Sequence, residues 1–127
     1  MSHFSRIQTR FVDRPFLTQA LQDLGFQFEE GSLSVQGFKG QQEMAQILIR
    51  LQNSYDIGLR KVDDAYEIVA DWAGVRGVSQ KEFVQQLTQR YAYRATMSKL
   101  EAQGFTLVED TRQSDGQIHM VLRRVHA

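Results

Sequence analysis

Two segments of the chain share one pattern, in which a helical apolar repeat ends at a glycine and an apolar strand follows. They cover residues 21–30 and 100–109, with the glycines at positions 25 and 104. A glycine ends a helix because it adopts the left-handed conformation of the helix C-terminus at little cost. The two segments therefore predict a chain that combines helices with strands. Two unrelated helices with the same stop chemistry give the same match, so internal duplication is one of two open alternatives.

Each matching segment belongs to a predicted unit of strand, helix, strand and strand, within residues 1–53 and 65–127. Alternating apolar and polar residues, or short apolar runs between turn residues, predict the strands. These cover residues 3–12, 26–30, 33–35, 43–51, 55–61, 65–72, 105–110 and 117–125, and the helices begin near Pro15 and Ser79. Two such units predict an α+β fold, a two-layer domain in which a largely antiparallel sheet carries two main helices on one face.

The second predicted helix, residues 80–103, carries two apolar stripes. Ser79 is a good N-cap, and Glu82 three residues later completes a capping box. The first stripe contains Val84, Leu87, Tyr91 and Ala95, and the second contains Tyr93, Met97 and Leu100. This pattern predicts either a kink near residues 91–94 or a straight helix that is buried on two sides, one of them against a partner.

Composition predicts one ordinary globular domain over residues 1–127, because a chain of this length buries about two thirds of its unfolded surface. The sequence has no cysteine, which excludes disulfides, thiolate metal sites and cysteine nucleophiles. It has no apolar run long enough to cross a membrane, and its first residues lack the apolar core of a secretion signal. We therefore expect a cytoplasmic protein.

The net charge is zero, since fifteen Lys and Arg residues balance fifteen Asp and Glu residues. Binding to nucleic-acid phosphates needs a basic footprint, so a nucleic-acid partner is disfavoured. The sequence also lacks the glycine-rich nucleotide loops, the nucleophile elbow and the paired-histidine zinc motif. A metal site built from His3, His119 and a carboxylate would require that the end strands pair. Surface histidines are the plainer interpretation, and we expect no metal, no cofactor and no catalytic residue.

One candidate binding site is a cleft formed by Asp56, Arg60, Asp71 and Trp72. The two aspartates are the carboxylates closest to apolar strand segments, and a carboxylate pair in a cleft performs acid–base chemistry. The alternative is that each aspartate caps a turn or pairs with an arginine such as Arg60.

The other candidate site is the sheet face opposite the helices. Alternation places basic side chains on it together with a few apolar ones: Arg6, Arg10, Arg50, Arg60, His119 and Arg123, with Phe4, Val121 and Val125. Open sheet faces of this kind bind RNA or a protein partner. Aromatic rings stack bases, and their scarcity on this face favours a protein partner over RNA.

Several segments of the chain resemble one known family. They are the opening residues 1–9, with the sequence MSHFSRIQT, and residues 20–25, 55–58, 69–72, 89–93, 103–105 and 123–124. Together they resemble the hypothetical chloroplast reading frame thirty-five of cyanobacteria and some plastids, over essentially the whole chain. The chain departs from that family at Ala73, where a second Trp would follow Trp72. The resemblance implies a protein of the cytosol or the plastid stroma, and it implies no activity and no catalytic residues.

These observations predict a non-enzymatic accessory or regulatory protein that binds another protein or a second copy of itself. The alternative is a small-molecule or nucleotide binder, which includes an enzyme, with its cleft near Asp56 and Asp71. A further alternative is RNA binding through the arginine-bearing sheet face, for which Arg6 and Arg123 would be required.

Overall fold

The computed structural model of the chain describes residues 3–112 and 117–124. Its helices and strands are β1 (Ser5–Gln8), α1 (Arg14–Asp23), β2 (Gln27–Gln36), β3 (Gln42–Arg50), β4 (Ile57–Val62), β5 (Ala65–Ala70), α2 (Gln80–Ala102), β6 (Phe105–Arg112) and β7 (Ile118–Arg124). This order confirms the predicted α+β class. Val125 and His126 lie outside the described residues.

The first five strands form one antiparallel sheet, in the spatial order β1-β5-β4-β3-β2. Strands β6 and β7 pair with each other in a separate two-stranded sheet. The two predicted units therefore keep the same order of elements but differ in placement. The hairpin β2–β3 belongs to the main sheet, whereas the hairpin β6–β7 packs beside α2. Alternation shows which face of a strand is apolar but not which strand it pairs with.

The main core lies between the sheet and both helices, as expected for a two-layer domain. Helix α1 contributes Leu17, Ala20 and Leu21, and α2 contributes Phe83 and Leu87. The sheet contributes Ile47, Ile49, Ile57, Leu59, Tyr66, Ile68 and Ala70. Burial of these apolar side chains supplies most of the free energy that favours folding.

A second, smaller apolar cluster is formed by Val35, Ala45 and Leu48, with Phe4 and Leu33 packed against it. Gly58 on β4 lies directly beneath this cluster. A Cβ atom at Gly58 would overlap the Val35 side chain and would lie 3.0 Å from the Ala45 Cβ. Glycine at this position therefore permits the close approach of β4 to the cluster.

Helix α2 is continuous from Gln80 to Ala102, and the Oγ of Ser79 accepts a hydrogen bond from the Glu82 N–H at 3.1 Å. Its first half buries Phe83 and Leu87 in the main core. Its second half buries Tyr93 and Met97, and the helix contacts β6. The two apolar stripes thus serve two different neighbours within one uninterrupted helix.

Two strand predictions differ from the structure. Residues 26–35 form most of one strand, β2, because an irregular register between Glu30 and Leu33 continues the pairing past Gly31. The N-terminal strand is shorter than predicted and ends at Gln8. There the Thr9 hydroxyl donates to the Tyr66 carbonyl at 2.7 Å, so a side chain replaces the next backbone pair.

Candidate functional sites

The two aspartates of the predicted cleft are buried, and both accept a hydrogen bond from the same segment of backbone. Asp56 precedes β4 and is 7% exposed, and Asp71 follows β5 and is 1% exposed. Asp71 Oδ2 accepts the Phe38 N–H at 3.0 Å, and the Asp56 carboxylate accepts the Gln36 N–H. The pair therefore holds the loop between β2 and β3 against the ends of β4 and β5.

Asp56 also has a basic neighbour, but that neighbour is Arg50. Burial raises the pKa of Asp56 above its ordinary value of 3.8, and the charge of Arg50 and the Gln36 N–H oppose that rise. Arg50 Nη1 lies 3.9 Å from Asp56 Oδ2. The structure brings Arg60 to Glu43, on the sheet face.

Trp72 begins a short 3₁₀ turn, Trp72–Gly74, and packs against the main core. Its ring centroid lies 6.0 Å from that of Phe83. The indole Nε1 is buried and has no hydrogen-bond partner among the residues that the structure describes. These contacts give Trp72 a packing role beside the cleft.

A cleft of about 480 Å³ lies beside the segments that carry Asp56, Asp71 and Trp72, and none of the four residues of the predicted cleft lines it. It is lined by Phe38, Asn53, Ser54, Tyr55, Ala73, Gly74 and Arg76. Hydrogen bonds join its two sides: Tyr55 N–H donates to the Gly74 carbonyl at 3.0 Å, and the Arg76 N–H donates to Ser54 Oγ at 2.8 Å. The loop that holds Asp56 and the turn that follows Asp71 are thereby fixed to each other.

The lining of this cleft is cationic. Of the described residues that line it, Arg76 alone is charged, and no carboxylate is among them. The Lys39 ammonium group adds a second positive charge nearby, 5.4 Å from the centre of the Phe38 ring. The geometry therefore suits an anionic group better than acid–base chemistry by Asp56 and Asp71.

Phe38 and Arg76 were not recognised as site residues from the sequence. Each lies between two glycines, at positions 37 and 40 and at positions 74 and 77. At Gly74 a Cβ atom would overlap the Tyr55 ring, so this glycine permits the wall to form. In the sequence, the signal that could have indicated these two site residues was a pair of glycines on either side of each one.

Arg6 and Arg60 share one carboxylate on the sheet face. Arg6 Nη2 donates to Glu43 Oε1, and Arg60 Nη1 donates to Glu43 Oε2 at 3.1 Å. Arg50 likewise donates to Glu29 at 2.9 Å. The basic groups of this face are therefore largely paired within the chain.

Arg10 and Arg123 lie apart from that network. Arg10 is exposed beside a second cavity, of about 390 Å³, between residues 7–11 and α2. Arg123 belongs to β7, in the other sheet. Among the described residues, no group of three or more His, Asp or Glu side chains is arranged to hold a metal ion.

The hairpin β6–β7 presents an apolar outer surface. Val108 is 59% exposed and Val121 is 49% exposed. They lie close together because the register shifts between Leu107 and Glu109, and Glu109 pairs with Val121. Under the hairpin, a cavity of about 390 Å³ separates Tyr93 of α2 from Ile118 and Met120.

Comparison with known proteins shows which family the chain belongs to. A profile described as "Protein of unknown function (DUF1257)" matches residues 20–121. Proteins named "Uncharacterized protein ycf35" from Guillardia theta, Pyropia yezoensis and Cyanophora paradoxa are 37%, 34% and 32% identical, each over 98% of both chains. The chain belongs to the ycf35 family. This confirms the resemblance to chloroplast reading frame thirty-five.

No solved structure matches the chain significantly. Among the residues described for this ycf35 family member, none of the helices has the length and apolar character needed to cross a membrane. The names of the relatives connect the family with plastids and state no activity.

Proposed function

We propose that the chain is a non-enzymatic accessory protein, of the cytosol or the plastid stroma, that binds another protein through the hairpin β6–β7. The partner is an extended segment that carries apolar side chains and carboxylates. The observation that carries this proposal is the exposed pair Val108 and Val121, which are 59% and 49% exposed on one small sheet. An apolar patch beside polar groups is typical of a protein interaction surface.

The backbone of the hairpin supports the same surface. Among the described residues, β7 pairs with β6 alone, so its outer edge retains free N–H and C=O groups. An extended peptide adds to such an edge as a further strand. The long edge strand β2 of the main sheet is less suited, because Glu29 and Glu30 form ion pairs there.

Charge indicates the chemistry of the partner. Strand β7 ends in two basic residues, Arg123 and Arg124. Arg124 lies over the Phe105 ring, with 5.1 Å from Cζ to the ring centroid. Carboxylates next to an apolar segment would pair with this end of β7, and the pairing would depend on salt.

RNA binding through the main sheet face has less support from the geometry. Arg6 and Arg60 are both paired with Glu43, and Arg50 is paired with Glu29. An RNA phosphate would have to compete with these carboxylates.

The test is co-purification of the tagged full chain from a native extract of a photosynthetic cell, with bound proteins quantified by mass spectrometry. Val121→Asp is compared with Val12→Asp, a matched control because Val12 is also exposed, at 56%, and lies outside the hairpin. We expect a stoichiometric, salt-sensitive partner that Val12→Asp retains and that Val121→Asp and Arg123→Ala lose.

A partner that Val121→Asp retains would contradict the proposal, as would the absence of any stoichiometric partner. Sedimentation of the purified chain distinguishes self-association. A dimer that Val121→Asp dissociates would replace the proposed partner with a second copy of the chain.

A further inference from the structure

The cleft at the ends of β4 and β5 has features that protein binding at the hairpin does not use. We propose that it binds a small anion that carries a planar ring, a ligand of about mononucleotide size. Its volume of about 480 Å³ falls in the range of small-molecule sites, roughly 300–1,000 Å³.

Arg76 supplies the contact for the anion. Its guanidinium group has no ion-pair partner among the described residues, a property that it shares with Arg10, Arg123 and Arg124, and it is the one of these four that lines the cleft. Its own backbone N–H is bonded to Ser54, so the base of the side chain is fixed in the cleft wall. A planar guanidinium group binds phosphate or carboxylate through two parallel hydrogen bonds.

Phe38 supplies the contact for the ring. It lines the cleft and is 37% exposed, so its ring is accessible to a ligand. Lys39 places an ammonium group 5.4 Å from the ring centroid, near enough to meet the charge of a ligand stacked there. Stacking on an exposed ring gives a preference for planar ligands over simple ions.

The cleft wall is fixed before any ligand arrives. Asp71 accepts the Phe38 N–H, and the Tyr55 N–H donates to the Gly74 carbonyl. Asn53, which lines the cleft, and Lys39, which follows Phe38 in the chain, have positive φ angles of 53° and 54°. A fixed wall lowers the entropy that a ligand loses on binding. In this arrangement Asp71 is a positioning residue for Phe38.

The experiment titrates the purified full chain with AMP and with salicylate, which join a planar ring to a phosphate and to a carboxylate, and follows heat or NMR shifts. Adenosine provides the planar ring without the anion, and inorganic phosphate provides the anion without the ring. We expect at least one of AMP and salicylate to bind, and the half-ligands to bind about tenfold more weakly or worse.

Variants then assign the contacts. Arg76→Gln is expected to weaken binding about tenfold, the loss of one charge-assisted contact. Phe38→Ala is expected to weaken AMP or salicylate and to leave phosphate unchanged. Arg10→Gln is the matched control, an exposed arginine outside this cleft, and is expected to change nothing. Asp71→Ala is expected to reproduce the ring-specific loss of Phe38→Ala, which a purely structural role would not do.

Failure of both AMP and salicylate to bind at about 5 mM would overturn the proposal, since that limit corresponds to a very weak site. Phosphate that binds as tightly as AMP would also overturn it, because the ring would then contribute nothing. Equal losses in Arg76→Gln and Arg10→Gln would place the anion outside the cleft. The hairpin variant Val121→Asp leaves this cleft intact, so either proposal can fail without the other.

Discussion

The Asp71 carboxylate accepts a hydrogen bond from the Phe38 N–H, with 3.0 Å between Oδ2 and N. The two residues are 33 positions apart in the chain, and Asp71 is almost completely buried. This contact connects the end of β5 to the loop after β2, and it explains why a carboxylate lies inside the fold.

Replacing Asp71 should destabilise the chain in a way that depends on the acceptor oxygen. Asp71→Ala leaves a part-buried N–H without its acceptor and should lower the free energy of unfolding by about 1–3 kcal/mol. Asp71→Asn retains an oxygen and should recover much of that loss. Urea denaturation of the three proteins measures both effects, and equal losses in the two variants would contradict this role.

Asp23 should stabilise the fold in a pH-dependent manner. Arg94 donates to both of its carboxylate oxygens, at 2.7 and 2.6 Å, and Arg90 donates to one at 2.7 Å. The Arg94 hydrogen bonds, with those of Arg90, hold the pKa of Asp23 below its ordinary value of 3.8. The stabilisation is therefore complete above pH 3.8 and is lost as the pH falls through the lowered pKa. Asp23→Asn should lower the free energy of unfolding by about 1 kcal/mol at neutral pH. It should also remove this loss of stability at low pH, which denaturation at several pH values would show.

Ionisation of Asp56 should destabilise the fold, in contrast to that of Asp23. Burial raises its pKa, so the folded chain keeps the proton after the unfolded chain has lost it. Stability should therefore fall as the pH rises from the unfolded pKa to the raised folded pKa. Compared with Asp56→Asn, the natural chain should lose stability as the pH rises from below 3.8 through the raised pKa. Parallel urea denaturation of the two proteins over a series of pH values measures this difference, and a gap that does not change with pH would exclude it.

Gly58 should tolerate no side chain. A Cβ atom there would overlap Val35, which is buried in the small apolar cluster. Gly58→Ala should lower the free energy of unfolding by about 1–3 kcal/mol through overpacking. Combining it with Val35→Ala should restore part of the loss. Gly31→Ala, where nothing lies within 4 Å of the added Cβ, tests the strain of a positive φ alone.

Local chemistry made parts of the fold predictable. The start of α2 at Ser79 follows from its own side chain, which accepts the Glu82 N–H. Both glycines that end the helices, Gly25 and Gly104, have positive φ angles. The pairing of β6 with β7 alone was not predictable, because a strand partner is chosen by packing across the whole fold.

The cleft that the structure shows was not predictable from local patterns. The sequence places Asp71 and Trp72 within a strand, whereas β5 ends at Ala70 and neither residue lines the cleft. Phe38 reaches the cleft from the loop between β2 and β3, which the Asp71 carboxylate holds in place. Contacts of that sequence separation are not visible in any local pattern. The roles of Arg10 and Arg123 on the outer surfaces remain predictions.

The N-terminal strand has a consequence for synthesis of the chain. Ser5 pairs with Ala70, and β1 has no other neighbour among the described strands. Because β1 precedes β5 in the chain, it is synthesised earlier and has to wait until β5 has emerged before it can pair. The strands β2 to β5 are each adjacent to the next in sequence, so nascent chains can form this meander first. Strand β1, although it is translated before the other four strands of this sheet, then completes the sheet last.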